Sequence, residues 1–244
     1  MIGAFINISL VFLFIRYFFI ETWGNYGGNN IISYVGFVIY TAILINMQFS
    51  YSLGVIKNKC DYPYKQIDQF KLFTYILFPN LIIFMLMFAI LKIFPGWKAP
   101  FSNTFGYLLA STMGISSTFT KLLTDVDKND NPEFKAALSQ VTGNKSLMIN
   151  QFTVENFAQT FQTFVDNKLF NVQNYNLTGT SVPDFKNAVN DSNSKEEITD
   201  LFKAVSAKDL VSEHIWYILS GCLVITIVKN TMGELNCNLI NRGN

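Results

Sequence analysis

The chain has one histidine, His214, and three cysteines, Cys60, Cys222 and Cys237, with no C-x-x-C spacing. A zinc site needs three or four closely spaced Cys or His ligands, so none is expected. An odd number of cysteines at unrelated spacings reads as ordinary or buried thiols, not as a disulfide framework. His214 reads as an interfacial neighbour of Trp216. Charge is also scarce, at 14% of residues with a net of +1. No stretch is basic enough to hold nucleic acid. G-x-S-x-G, G-x-x-x-x-G-K-[ST] and G-x-G-x-x-G are all missing. No carboxylate pair lies deep in an apolar run, where a proton relay or ion pathway would want one. No catalytic, cofactor-binding or metal-binding residue is therefore expected, and the chain reads as a non-enzyme.

What is abundant is apolar. Half of the residues are hydrophobic, 24 of them Phe, and mean hydropathy is +0.26. Phe73–Phe94 is almost wholly apolar, with Lys92 its only charge. At 1.5 Å per helical residue it reaches roughly 33 Å, the thickness of a bilayer's hydrocarbon core. It shows no polar stripe, as a soluble core helix would. Ile2–Ile20 reads as a retained span rather than a cleaved signal, because no Lys or Arg precedes its apolar run. Ile31–Leu53 reads as another span, carrying Asn46 and Gln48. Amides in lipid seek partners on neighbouring helices. Lys57–Lys71 holds four Lys against Asp61 and Asp68, which by the positive-inside rule places it in the cytoplasm. Pro79 removes one hydrogen bond from the third span.

Phe101–Thr120 carries no charge but many Ser, Thr and Gly. Gly106, Ala110 and Gly114 fall four apart, a small-residue face suited to close helix packing. The residues leave two readings open, a fourth span over 101–123 or a half-buried interfacial helix. Ile215–Val228 is the last apolar run, and its 14 residues cross only with local thinning or help from the preceding helix.

From Lys121 to Glu213 there are 9 Lys and 13 acids, a net of −4; the rest holds 9 basic residues and 4 acids, a net of +5. The acidic part reads as water-facing helices. Asp125, Asp127 and Asn129 alternate as in a calcium loop, but Asp130 and Ala136 stand where Gly and Glu are needed. Phe152, Phe157, Phe161 and Phe164 form one apolar face over Ser146–Phe170, serving either the segment's own core or a partner. Ser194 and Glu197 make a capping box. Asn144, Asn176 and Asn190 head N-x-Ser/Thr triplets, glycosylation acceptors only in a lumen.

The expected architecture is an all-α, multi-span membrane protein, with a mostly helical polar segment inserted before the last hydrophobic helix. Residues 1–124 form the membrane domain, with spans near 2–20, 31–53 and 73–94 and the ambiguous stretch at 101–123. Residues 125–213 form the acidic segment, and 214–244 the final helix and tail. The turn IFPGWKAPFSNTFGYL, Ile93–Leu108, resembles a segment of membrane proteins from large nucleocytoplasmic DNA viruses, built into the virion beneath the capsid. The resemblance implies a minor capsid protein of the virion's inner membrane, with the lipid bilayer and other virion proteins or itself as partners. It brings no catalytic or binding residues. The same architecture also suits an accessory subunit of a protist organellar membrane complex. A channel or transporter is the third reading.

Overall fold

A computed structural model describes residues 1–23, 31–61, 67–123, 132–172 and 192–241. Among the described residues the fold is all-α, with only isolated bridges at Ile67–Asn241 and Leu123–Phe170. The chain forms two compact units. One comprises Met1–Ile15, Ile31–Trp97 and Glu213–Asn244; the other comprises Arg16–Asn30 and Lys98–Ser212.

The first unit is built from the first part of α1 (Ile2–Trp23), α2 (Ile31–Cys60), α3 (Gln69–Ile93) and the later part of a long helix, Ser192–Glu234. Three helices are long and apolar enough to cross a membrane: Tyr34–Cys60, Gln69–Ile93 and Glu196–Glu234. The protein is an integral membrane protein of multi-span helical type. α1 is apolar over Ile2–Phe18, a shorter stretch. Helices suit hydrocarbon because their backbone groups bond internally. Asp68 starts α3, its carboxylate accepting the Lys71 N–H at 3.1 Å.

Polar side chains in this unit find protein partners. Ser9 Oγ and Tyr40 Oη lie 2.7 Å apart. Asn80, next to Pro79, donates to Gln48 Oε1 and to the Ile76 carbonyl, both at 2.8 Å. Gln48 Nε2 returns a bond to Asn80 Oδ1 at 3.3 Å. Gln48 thus has the interhelical partner its place in the sequence calls for, while Asn46 is exposed. The core gathers Phe5, Leu44, Ile76, Phe84, Tyr217 and Val224. Phe5 lies so close over Gly221 that any side chain there would overlap its ring. His214 is buried beside Phe12 and Tyr40, with ring centroids at 6.0 and 6.3 Å.

Several expectations change. Cys60 and Cys237 form a disulfide, with Cα atoms 5.6 Å apart across 177 positions of sequence, so they are not separate thiols; Cys222 is free. The last apolar run is not a 14-residue helix, because it continues an unbroken helix of 43 residues. Residues 101–123 are not one span. They divide into α4 (Ala99–Phe101), a π-helical turn Ser102–Gly106, α5 (Tyr107–Thr112) and α6 (Ile115–Leu122). The break falls at Gly114, whose φ of +83° favours glycine.

The second unit adds α7 (Pro132–Gly143), α8 (Lys145–Asn150), α9 (Phe157–Asp166) and the first part of the long helix, here α10 (Ser192–Glu234). A short α11 (Cys237–Ile240) follows in the first unit. Ala110, Ile115, Phe119 and Leu122 share a core with Phe152, Phe157, Phe161, Phe164 and Phe202. Residues 101–123, which the sequence placed with the membrane domain, therefore share a core with the polar segment. Ser146–Phe170 is not a single helix either, since Phe152 sits between α8 and α9. Residues 125–130 of the calcium-like loop, Asn176 and Asn190 lie outside the described residues, as does the Ser194 side chain; the helix already runs from Ser192, so Ser194 does not cap it, and Glu197 pairs with Lys121 at 3.9 Å.

The Gln48–Asn80 pair generates a prediction. Asn80→Leu strands the Gln48 amide and is expected to lower stability in detergent by about 1 kcal/mol. Gln48→Leu combined with Asn80→Leu should recover part of that loss, measured by thermal unfolding of the three variants.

Candidate functional site

Lys98 ends the 3₁₀ turn Pro95–Lys98, and its side chain is only 8% exposed. Burying an ammonium is costly unless it is paired and hydrogen-bonded. Here two carboxylates meet it: Glu155 Oε1 and Asp209 Oδ2, each 2.7 Å from Nζ. Asp209 and Ser212 stand three apart on α10 and so share a face. The Ser212 hydroxyl donates to the Lys98 carbonyl, which fixes the backbone where the carboxylates fix the side chain.

Glu155 lies in the turn before α9. That turn is closed by a reciprocal pair, the Thr153 N–H to Asn156 Oδ1 at 2.7 Å and the Asn156 N–H to Thr153 Oγ1 at 3.2 Å. Such a pair satisfies two donors near a helix start, as a capping box does. Beside the cluster, Lys208 is buried and donates to the Ile149 carbonyl at 3.3 Å. Gly106 packs on the Lys208 backbone, where an added Cβ would come within 2.5 Å of the carbonyl oxygen.

Burial alone would lower the Lys98 pKa, but Asp209 and Glu155 together raise it. Burial likewise pushes Glu155 up, yet Lys98 brings it below the ordinary carboxylate range. Both partners are therefore held in their charged forms. An ammonium kept protonated is a poor nucleophile, because amine attack needs the neutral form. The arrangement holds a turn, a loop and a helix together by charge. Among the described residues no group of three or more His, Cys, Asp or Glu could hold a metal ion.

The sequence-predicted residues fare differently. Gly106 and Ala110 are buried in close contact, but Gly114 turns the chain and its Cβ position is open. Gly114 therefore drops out of the packing face, because the helix that would align it with Gly106 is interrupted. Phe152, Phe157, Phe161 and Phe164 are all buried, against Phe119, Phe170 and Phe202. They line this unit's own core. Lys98, Glu155 and Asp209 were missed by sequence reasoning. One signal was present: Lys98 is the only charge between Ile93 and Thr120.

No family model, curated protein or solved structure matches this chain.

Removing the cation should cost more than removing the exposed acid. Lys98→Met strands the nearly buried Asp209 and is expected to destabilise by about 3 kcal/mol. Glu155 is half-exposed, so Glu155→Gln should cost less than about 1 kcal/mol. Thermal unfolding in detergent distinguishes the two.

The pH dependence follows from the signs. The lowered Glu155 pKa adds stability above its unfolded value, which is lost as pH falls through the folded value. The raised Lys98 pKa adds stability below its unfolded value, which is lost as pH rises through the folded one. Unfolding followed against pH should therefore show the wild type most stable, relative to Lys98→Met, across the neutral range, with the gap closing towards both extremes.

Proposed function

We propose that this chain is a structural, non-catalytic membrane protein of a viral particle, linking an inner membrane to the capsid shell. The observation that carries this reading is the character of the polar segment. It lies in the chain between two apolar helices and folds around its own phenylalanine core. Its convergent charges, Lys98 with Glu155 and Asp209, are matched to one another. Such a segment offers neighbours a shaped surface rather than a reacting group. The resemblance of Ile93–Leu108 to virion membrane proteins supports the particle itself as the setting.

Fractionation of purified particles tests the proposal. The protein should remain with particles through a high-salt wash and leave them in mild detergent, together with capsid components cross-linked beforehand to residues 98–212. Loss in the salt wash would sink the reading. So would migration with a respiratory complex on a native gel, which is what an organellar accessory subunit would do.

A further inference from the structure

We infer that the Cys60–Cys237 disulfide lies on the non-reducing face of the membrane and that residues 98–212 lie on the reducing, cytosolic face. Parity of membrane crossings leads to this placement, independently of any virion. A disulfide joins residues on one side of a bilayer, so the chain between Cys60 and Cys237 crosses an even number of times. α3 and the apolar part of α10 are two crossings. Residues 101–123, broken at Gly114, add none.

Contacts at both ends of these helices agree. At one end the Asp68 N–H bonds the Ile240 carbonyl at 2.8 Å, beside the disulfide. At the other end Trp216 Nε1 donates to the Trp97 carbonyl at 2.9 Å, and the two indoles lie 5.9 Å apart. Tryptophan favours the membrane–water interface. From Trp216 to Glu234 a helix rises about 28 Å, close to the hydrocarbon thickness. The chain therefore leaves the membrane after Trp97 and re-enters before Trp216 on the same face, opposite the disulfide.

The compartment follows from redox chemistry. Disulfides persist in oxidising compartments and are reduced in the cytosol. The Cys60 thiolate attacks the disulfide of an oxidised thiol–disulfide oxidoreductase, giving a mixed disulfide and releasing one thiolate. The Cys237 thiolate then displaces the second sulfur. The oxidoreductase leaves as a dithiol, having gained two electrons and the two protons that the cysteines lost.

This reverses the sidedness expected from the basic loop, for two reasons visible in the structure. First, its lysines serve helix ends. Lys59 Nζ donates to the Gly233 and Leu235 carbonyls at 2.6 and 2.8 Å, at the C-terminus of α10, where cations are favoured. Lys71 pairs with Asp68 at 3.5 Å. Second, the opposite face has cations of its own: Lys92 is in the last turn of α3, Lys98 follows that helix, and Lys203 and Lys208 precede the apolar run of α10. Charge bias thus does not choose the orientation, and the disulfide does. Asn144 consequently faces the cytosol and is no glycan acceptor.

Mass-tagging decides this. In a Cys222→Ser background, Ser139→Cys places a thiol on the exposed surface of α7. Sealed vesicles with the cytosolic face outward are treated with a membrane-impermeant polyethylene-glycol maleimide. One tag is expected without detergent, and two more only after denaturation with reductant. Two extra tags on denaturation without reductant would overturn the disulfide. A first tag that appears only once vesicles are opened would overturn the sidedness. The native chain gives an independent reading: a non-reducing digest should contain the linked Cys60 and Cys237 peptides, with Asn144 bare. Free peptides, or a glycan on Asn144, would refute the inference.

Discussion

A polar group placed in hydrocarbon has no water to turn to, and the membrane unit is arranged around that constraint. Lipid tails are as apolar as leucine, so apolar contact alone gives helices little reason to associate or to choose a register. Register comes instead from a few polar pairs and close fits. Gln48 with Asn80 fixes α2 against α3, and Ser9 with Tyr40 fixes α1 against α2. Phe5 over Gly221 fixes α1 against the last long helix, since only glycine leaves room for the ring. Each contact is small, but together they set three helix pairings in a unit whose outer surface is apolar. Phe14, Val38, Phe78, Met85 and Leu223, all exposed, are then lipid-facing rather than misplaced.

The second unit meets the opposite problem. It gathers apolar groups away from water, and Phe119, Phe152, Phe157, Phe161, Phe164 and Phe170 supply large area at modest entropic cost. Several of their rings meet edge-on, as Phe119 does Phe152 and Phe170 at 6.2 and 5.3 Å. Close to this core is a buried amine, which is why two carboxylates converge on Lys98 Nζ. A buried ion pair adds little net stability over an apolar substitute, but it penalises every arrangement that leaves a charge unmatched. Its contribution is to specify one packing among the many that a phenylalanine-rich core tolerates.

The apolar helices were legible because hydropathy over a bilayer's length is a local signal. Phe73–Phe94 carries it in its own residues, and α3 follows. What the sequence hid was non-local. Nothing near Cys60 or Cys237 announces a bond across 177 positions. The four-residue spacing of Gly106, Ala110 and Gly114 implies a shared face only on a continuous helix, and the left-handed backbone at Gly114 ends that continuity. The last span looked short because its apolar run is 14 residues, although the helix carrying it is 43. Hydropathy reports where lipid is, not where a helix stops. Lys98 has no partner near it in sequence, because Glu155 and Asp209 are 57 and 111 positions away.

The string from Ile93 to Leu108 combines these lessons. Trp97 offers its carbonyl to Trp216, and Lys98 holds two carboxylates. Ser102 is buried, and the Thr104 hydroxyl returns to the Pro100 carbonyl at 2.7 Å. Gly106 has no room for a side chain against Lys208. Residues of six different chemistries thus have separate positional requirements within ten positions. Such positional requirements arise from packing and hydrogen bonding alone. A specific motif in a membrane protein is accordingly not a sign of catalysis by itself: the demand for satisfied polar groups and close backbone approach, where the chain leaves the bilayer, is enough to fix one.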